Sequence, residues 1–234
     1  MSYAHPAIDI GITDSDRGTP VLVVGGAALA LGSLGVVATS VLYALSPPAA
    51  ALPAYPLDQA IAGARAGATT LFAAGTVGIF SDIIMAIGTL LVAFDLVLRR
   101  RTLAATGWIA MLLSIIVFTL VDAMGGYVLA SLAVMSDGAS AFSGFKRLFD
   151  VLFLLGTVAF GGGAIVALAA DMSGPAPFVG KPLAIAGILV GLAGLLTSVA
   201  CIIGLPFGQG VGISVGLGSA LFTAIGLQLA RTAP

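Results

Sequence analysis

The chain has 234 residues, of which 59% are hydrophobic and 8% charged, with a formal net charge of −1. A soluble domain carries about a quarter charged residues, so a composition with two Lys and no Glu cannot clothe a water-facing surface of this size. It also excludes a basic footprint for nucleic acid, and the outside must face lipid: the expected fold class is an all-α, polytopic transmembrane bundle.

Residues 1–20 read as a polar cytoplasmic tail. They contain Asp9, Asp14, Asp16 and Arg17, without the positive start and short apolar core of a secretory signal, so the first span is expected to be an uncleaved anchor. A bilayer core of about 30 Å takes about 20 apolar residues in a helix. Six such runs follow, at about 21–45, 71–98, 103–134, 151–170, 183–205 and 211–230, and 231–234 form a cytoplasmic C-terminal tail. The connectors are rich in helix stops: Ser46-Pro47-Pro48 with Pro53 and Pro56, Arg99-Arg100-Arg101, Ser136-Asp137-Gly138, Ser173-Gly174-Pro175-Ala176-Pro177 and Pro206-Phe207-Gly208. Residues 57–67 are more polar and Ala-rich, an interfacial helix or an extension of the second span, and periodicity does not separate the two.

Orientation follows from the distribution of Lys and Arg. With both termini in the cytoplasm, Arg17, Arg99, Arg100, Arg101, Lys181 and Arg231 lie inside and Arg65, Lys146 and Arg147 outside. Arg99, Arg100 and Arg101 dominate because their loop is short. Small residues recur at a spacing of four, in Gly26 and Ala30, Ala28 and Gly32, Gly187 and Gly191, and Gly212 and Gly216. Such pairs let helices approach closely in lipid, and packing within the bundle is the preferred account over an oligomer interface.

Elimination narrows the chemistry. The only histidine, His5, is in the tail, and the only cysteine, Cys201, lies in an apolar run with no disulfide mate, where it is expected to pack as a small hydrophobe. Metal centres, haem, iron–sulfur clusters and His-assisted nucleophiles therefore lack ligands, and with Lys146 and Lys181 assigned to connectors a retinal Schiff base lacks its lysine. No catalytic, cofactor or metal site is assigned, and Gly161-Gly162-Gly163 reads as a packing feature rather than a phosphate loop.

What remains is aspartate. Asp82 and Asp122 lie within the second and third spans, where an ionised carboxylate costs about 2.5–3.5 kcal/mol at the bilayer centre. They are equidistant from Thr102, which places both about 30 Å from the tight turn, at nearly one depth in the outer half. Asp82 shares a narrow face with Gly75, Gly78, Ala86, Thr89 and Ala93; Asp122 shares one with Ile115, Phe118, Thr119, Gly125 and Gly126. Two carboxylates at one depth can share a proton or bind a cation. The structural reading, which is preferred, is that each is neutral, or finds a Thr, Tyr or backbone partner, and pins helices together. Asp95 with Arg99, and Asp150 with Lys146 and Arg147, read as surface pairs, and Trp108, Tyr43 and Tyr127 as interfacial anchors.

Leu71-Phe72, Gly75, Asp82 and Leu90-Leu91, the charged hinge into a hairpin, and the stretch from Gly187 to Leu195 together resemble a family of uncharacterised bacterial multi-spanning membrane proteins, a domain of unknown function, over about Leu71 to Leu195. The chain departs from the pattern in lacking an arginine after Leu71-Phe72 and in placing Pro182 one position out of register. The resemblance implies a membrane protein and no particular activity.

The first expectation is thus a non-enzymatic, multi-pass protein of a bacterial inner membrane. It would be an accessory or structural subunit meeting lipids, bound pigment, other membrane subunits or copies of itself mainly through its spans. The alternative is a small proton- or cation-coupled transporter using Asp82 and Asp122. A membrane-embedded enzyme ranks third.

Overall fold

The computed structural model describes residues 20–174 and 176–231. The tail with His5, Asp9, Asp14, Asp16 and Arg17, the final residues 232–234, and Pro175 lie outside the described residues. Helices α1 (Pro20–Ala44), α2 (Pro48–Ala51), α3 (Leu57–Ala66), α4 (Ala68–Leu98) and α5 (Thr102–Ala123) come first. A π-helical turn, Met124–Leu129, carries α5 into α6 (Ala130–Val134), and α7 (Ala139–Met172), α8 (Lys181–Ile202) and α9 (Gly208–Arg231) follow. Six helices, counting α5 through α6 as one, are long and apolar enough to cross a membrane. The protein is a multi-pass transmembrane helical bundle. Helices suit this composition because lipid offers no partner to a backbone N–H or C=O, and only an internally bonded backbone crosses it.

Turn chemistry sets the ends. Pro48 opens α2 and Pro182 lies in the first turn of α8, where a missing N–H costs nothing. Arg100 takes φ +57° and Gly204 φ +91° to reverse the chain after α4 and α8. Gly67 separates α3 from α4, so residues 57–66 are a helix of their own and not an extension of the second span.

The six long helices close into a ring in the order α1, α4, α5, α7, α8, α9 and back to α1. One end of the ring carries Arg99–Arg101 and both ends of the described chain; the other carries the proline-rich segment between α1 and α3. Backbone-to-backbone approach at small residues holds the seams. Gly26 and Ala30 meet Gly226, and Gly32 meets the backbone of Met85. Gly107 meets Gly163, while Gly161 meets the Gly191 carbonyl, so the glycine triplet serves α5 and α8 together. Toward the arginine end the ring is filled by a core including Leu29, Val92, Trp108, Leu168, Ile225 and Leu229. Toward the proline end a second core, including Ala60, Leu71, Leu129, Phe142 and Phe149, joins α2 and α3 to α4, α6 and α7.

Several expectations change. The fourth span starts at Ala139 rather than near 151, because a helix continues through Lys146 and Arg147 although an apolar run does not. Phe142, Lys146 and Phe149 all face inward on it, and Lys146 is only 2% exposed. Its ammonium donates to the Leu52 carbonyl at 3.0 Å and to Asp150, so this lysine lies on a transmembrane helix, committed to a buried pair rather than a surface one. Asp95 is likewise buried beneath its partner Arg99, 2.7 Å away. Trp108 is no interfacial anchor: at 3% exposure it packs edge-on to Phe222 in the core. Tyr127 does remain partly exposed, bonded to Thr76. Cys201 is buried beside Leu154 and Val211.

Candidate functional site

The ring is not filled throughout. Between the two cores lies a cavity of about 450 Å³, floored toward the arginine end by Phe160 of α7 and Phe222 of α9, whose ring centroids are 5.1 Å apart across the ring. Trp108 supports Phe222 from below. Phe118, Phe149 and Phe153 continue this aromatic wall, Phe149 stacked on Phe153 at 5.9 Å.

Beside these rings lie the acids. Asp82, Asp122 and Tyr43 all line the cavity. The Tyr43 hydroxyl donates to Asp122 Oδ1 at 2.9 Å, so a residue read as an anchor belongs to the site. The Asp122 carboxylate occupies a notch at Gly78 that any β-carbon there would fill, so Gly78 and Asp82, one turn apart on α4, bring both acids to one surface. Asp82 is 3% exposed, and its Oδ2 is buried without a hydrogen-bond partner.

The two acids are staggered rather than level. The reversal centres on Arg100, not Thr102, so Asp122 lies about four residues, roughly 6 Å, further along its arm than Asp82. Asp82 falls near the midpoint of α4, deeper than the outer-half position expected. Directly after Asp122 the third span widens into the π-helical turn containing Gly125 and Gly126. Such turns within α-helices are frequent at functional sites. Here the turn lets the Gly126 backbone rest on Gly75, which presses α5 against α4 beside the acid pair.

The remaining polar lining is biased toward acceptors. Thr39, Thr157, Ser214 and Ser219 each donate their single proton to a carbonyl of their own helix, at 2.7–3.1 Å, so they turn lone pairs to the cavity. Among the described residues no Lys, Arg or His lines it. The described cations nearest in type are engaged elsewhere: Lys146 with Asp150, Arg99 with Asp95, and Arg101 with Asp171. Among the described residues no cluster of three His, Cys, Asp or Glu could hold a metal ion. The arrangement suits a proton or a cation.

Four lining residues, Ala44, Pro48, Gln209 and Ile213, are exposed as well as facing the cavity. They mark a mouth at the proline end, beside the last turn of α1, Pro48 and the first two turns of α9. Ile213 there is 63% exposed and apolar, while α1 and α9 still touch one turn further in, at Ser40 and Gly216.

The small residues singled out from sequence face neighbours within the ring: Gly26 toward α9, Gly32 toward α4, Gly187 and Gly191 toward α7, and Gly212 toward Leu52. Gly216 comes near Ser40 at ordinary contact distance, and Ala28 is half-buried. Sequence reasoning did not pick out the aromatic wall, although Phe149, Phe153 and Phe160 share one helical face by spacing. It also passed over Asp171, which pairs with Arg101 at 3.0 Å and accepts from the backbone N–H groups of Phe178 and Val179. Phe178 itself is flanked by the guanidinium groups of Arg99 and Arg101. Compared with protein-family models, with curated proteins and with solved structures, the chain matches none.

Proposed function

We propose that the chain is a small proton- or cation-coupled transporter of a bacterial inner membrane, in which Asp82 and Asp122 form the charge site. The observation that carries this reading is that buried Asp82, whose Oδ2 has no hydrogen-bond partner, lines a central cavity together with Asp122. Intramembrane acids facing a cavity mark ion and substrate pathways, and an unneutralised carboxylate at mid-membrane is too costly to keep without a cation or proton to meet it. An accessory subunit that holds lipid or pigment could also be hollow, but two buried acids in the lining favour a charged occupant, so the accessory reading becomes the lesser one.

The arginine end is assigned to the cytoplasm. Arg99, Arg100, Arg101, Lys181 and Arg231 gather there, against Arg65, Lys146 and Arg147 at the proline end, and the rule counts basic residues largely regardless of acidic neighbours.

The test is flux. Purified protein in proteoliposomes with an internal pH-sensitive dye, given a proton or cation gradient, should dissipate that gradient, and the double variant Asp82→Asn with Asp122→Asn should slow it at least about tenfold. Unchanged flux in the double variant sinks the charge site.

A further inference from the structure

The cavity's chemistry is more specific than an ion site requires. A bare proton needs no space, yet about 450 Å³ stands open, within the roughly 300–1,000 Å³ typical of small-molecule sites. A hard divalent cation such as calcium needs six to eight oxygen ligands close around it, whereas five phenyl rings enter this lining. Phe118, Phe149, Phe153, Phe160 and Phe222 line the cavity together with Asp82 and Asp122. An aromatic face attracts a cation through its quadrupole and also buries apolar substituents.

The charged complement has one sign. The Asp82 Oδ2 has no partner, Asp122 has a single donor in Tyr43, the Thr39, Thr157, Ser214 and Ser219 protons are already used, and no described basic side chain lines the cavity; Ser40, Ser46 and Gln209 add neutral polar groups that can donate. An anion or a zwitterionic lipid headgroup would bring its negative group against two acids with no cation to meet it. The mouth at the proline end is flanked by Ala44 and by Ile213, both exposed. A lipophilic solute gathered at the membrane surface can reach such an opening.

We infer that the cavity binds a lipophilic organic cation, a single positive nitrogen or phosphorus centre bearing aryl or bulky alkyl groups. It enters at the proline end, past Ala44, Pro48 and Ile213. The inference rests on the transporter reading and names its substrate class. Asp82 holds the charge, Asp122 and Tyr43 complete its shell, and the phenylalanine wall takes the substituents.

Binding of tetraphenylphosphonium to the purified full chain in mild detergent, measured by equilibrium dialysis, tests this. Tetramethylammonium serves as a cation without aryl groups and triphenylphosphine oxide as an uncharged aryl compound. Tetraphenylphosphonium should bind; each comparator should compete at least about tenfold more weakly; Asp82→Asn should weaken binding about tenfold or more, and Phe153→Leu severalfold. Asp82→Asn keeps the side-chain volume and removes a buried unpaired charge, and its thermal melt checks that it is folded. As a second variant, Ile213→Trp leaves both acids in place and should slow association from vesicles severalfold. Equal binding by the uncharged compound, or by Asp82→Asn, or a cavity found already filled by co-purifying lipid that tetraphenylphosphonium does not displace, overturns the inference. Gradient dissipation without tetraphenylphosphonium separates the two readings: aspartate-dependent flux with no binding removes the organic cation alone, and aspartate-dependent binding with no flux removes transport alone.

Discussion

Replacing Gly75 with Ala puts a methyl group where the α4–α5 seam has no room. Its β-carbon would lie 2.6 Å from the Asp122 carbonyl and 2.7 Å from the Gly126 α-carbon, both backbone atoms that cannot turn aside. Ordinary carbon contacts need about 3.5–4.0 Å, so the helices must part by roughly 1 Å along a seam that carries the acid pair. Overpacking of this kind costs about 1–3 kcal/mol. Gly162→Ala is the matched control, since nothing lies within 4 Å of its β-carbon. Both changes alter helix propensity alike, and transmembrane helices stay helical when their tertiary contacts are lost, so the difference between the two isolates packing. Unfolding in mixed lipid–detergent micelles, followed by the fluorescence of the buried Trp108 or by gel mobility, should place Gly75→Ala about 1–3 kcal/mol below Gly162→Ala. Equal stability of the two variants would refute the close approach of α4 to the π-helical turn.

At the arginine end, Asp171→Ala strips Arg101 of its buried partner and frees two backbone donors, so it should cost about 3–5 kcal/mol in the same unfolding measurement; a loss under about 1 kcal/mol would show the pair to be dispensable. The orientation is checked with Cys201→Ala as background and the exposed positions Gln59→Cys and Lys181→Cys introduced singly. A membrane-impermeant maleimide added to intact cells should label position 59 and not 181, and the opposite pattern would invert the assignment.

Asp82 and Asp122 could be singled out from sequence because an acid in a long apolar run is costly wherever it points. Helix length and the stops at Pro47, Arg100 and Pro206 were legible for a similar reason, since each acts locally. The ring order was not legible. It depends on Gly26 finding Gly226 from the far end of the chain, and small-residue spacing marks a sticky face without naming its partner. The cavity was hidden for the same cause: Phe153 and Phe222 read as ordinary lipid-length helix until their helices are placed opposite each other. Lys146 misled because hydropathy treats a charge as the end of a span, while a carbonyl at Leu52 and a carboxylate at Asp150 let the helix keep it inside. Tyr43, placed at a span end, matched the pattern of an interfacial anchor, and only its distance to Asp122 assigns it otherwise.

The seam between α1 and α9 is in backbone contact at Gly26, Ala30 and Gly226 and relaxes to ordinary side-chain contact at Ser40 and Gly216 before the cavity mouth at Ala44 and Ile213, which gives the pair the mechanics of a lever with its pivot near one end. From Ala30 to Ala44 the arm is about 20 Å. A tilt of about 5° at the glycine pivot therefore moves the far end by roughly 2 Å, close to the radius of a methyl group. The width of the mouth thus depends on the small residues at the other end of the same two helices.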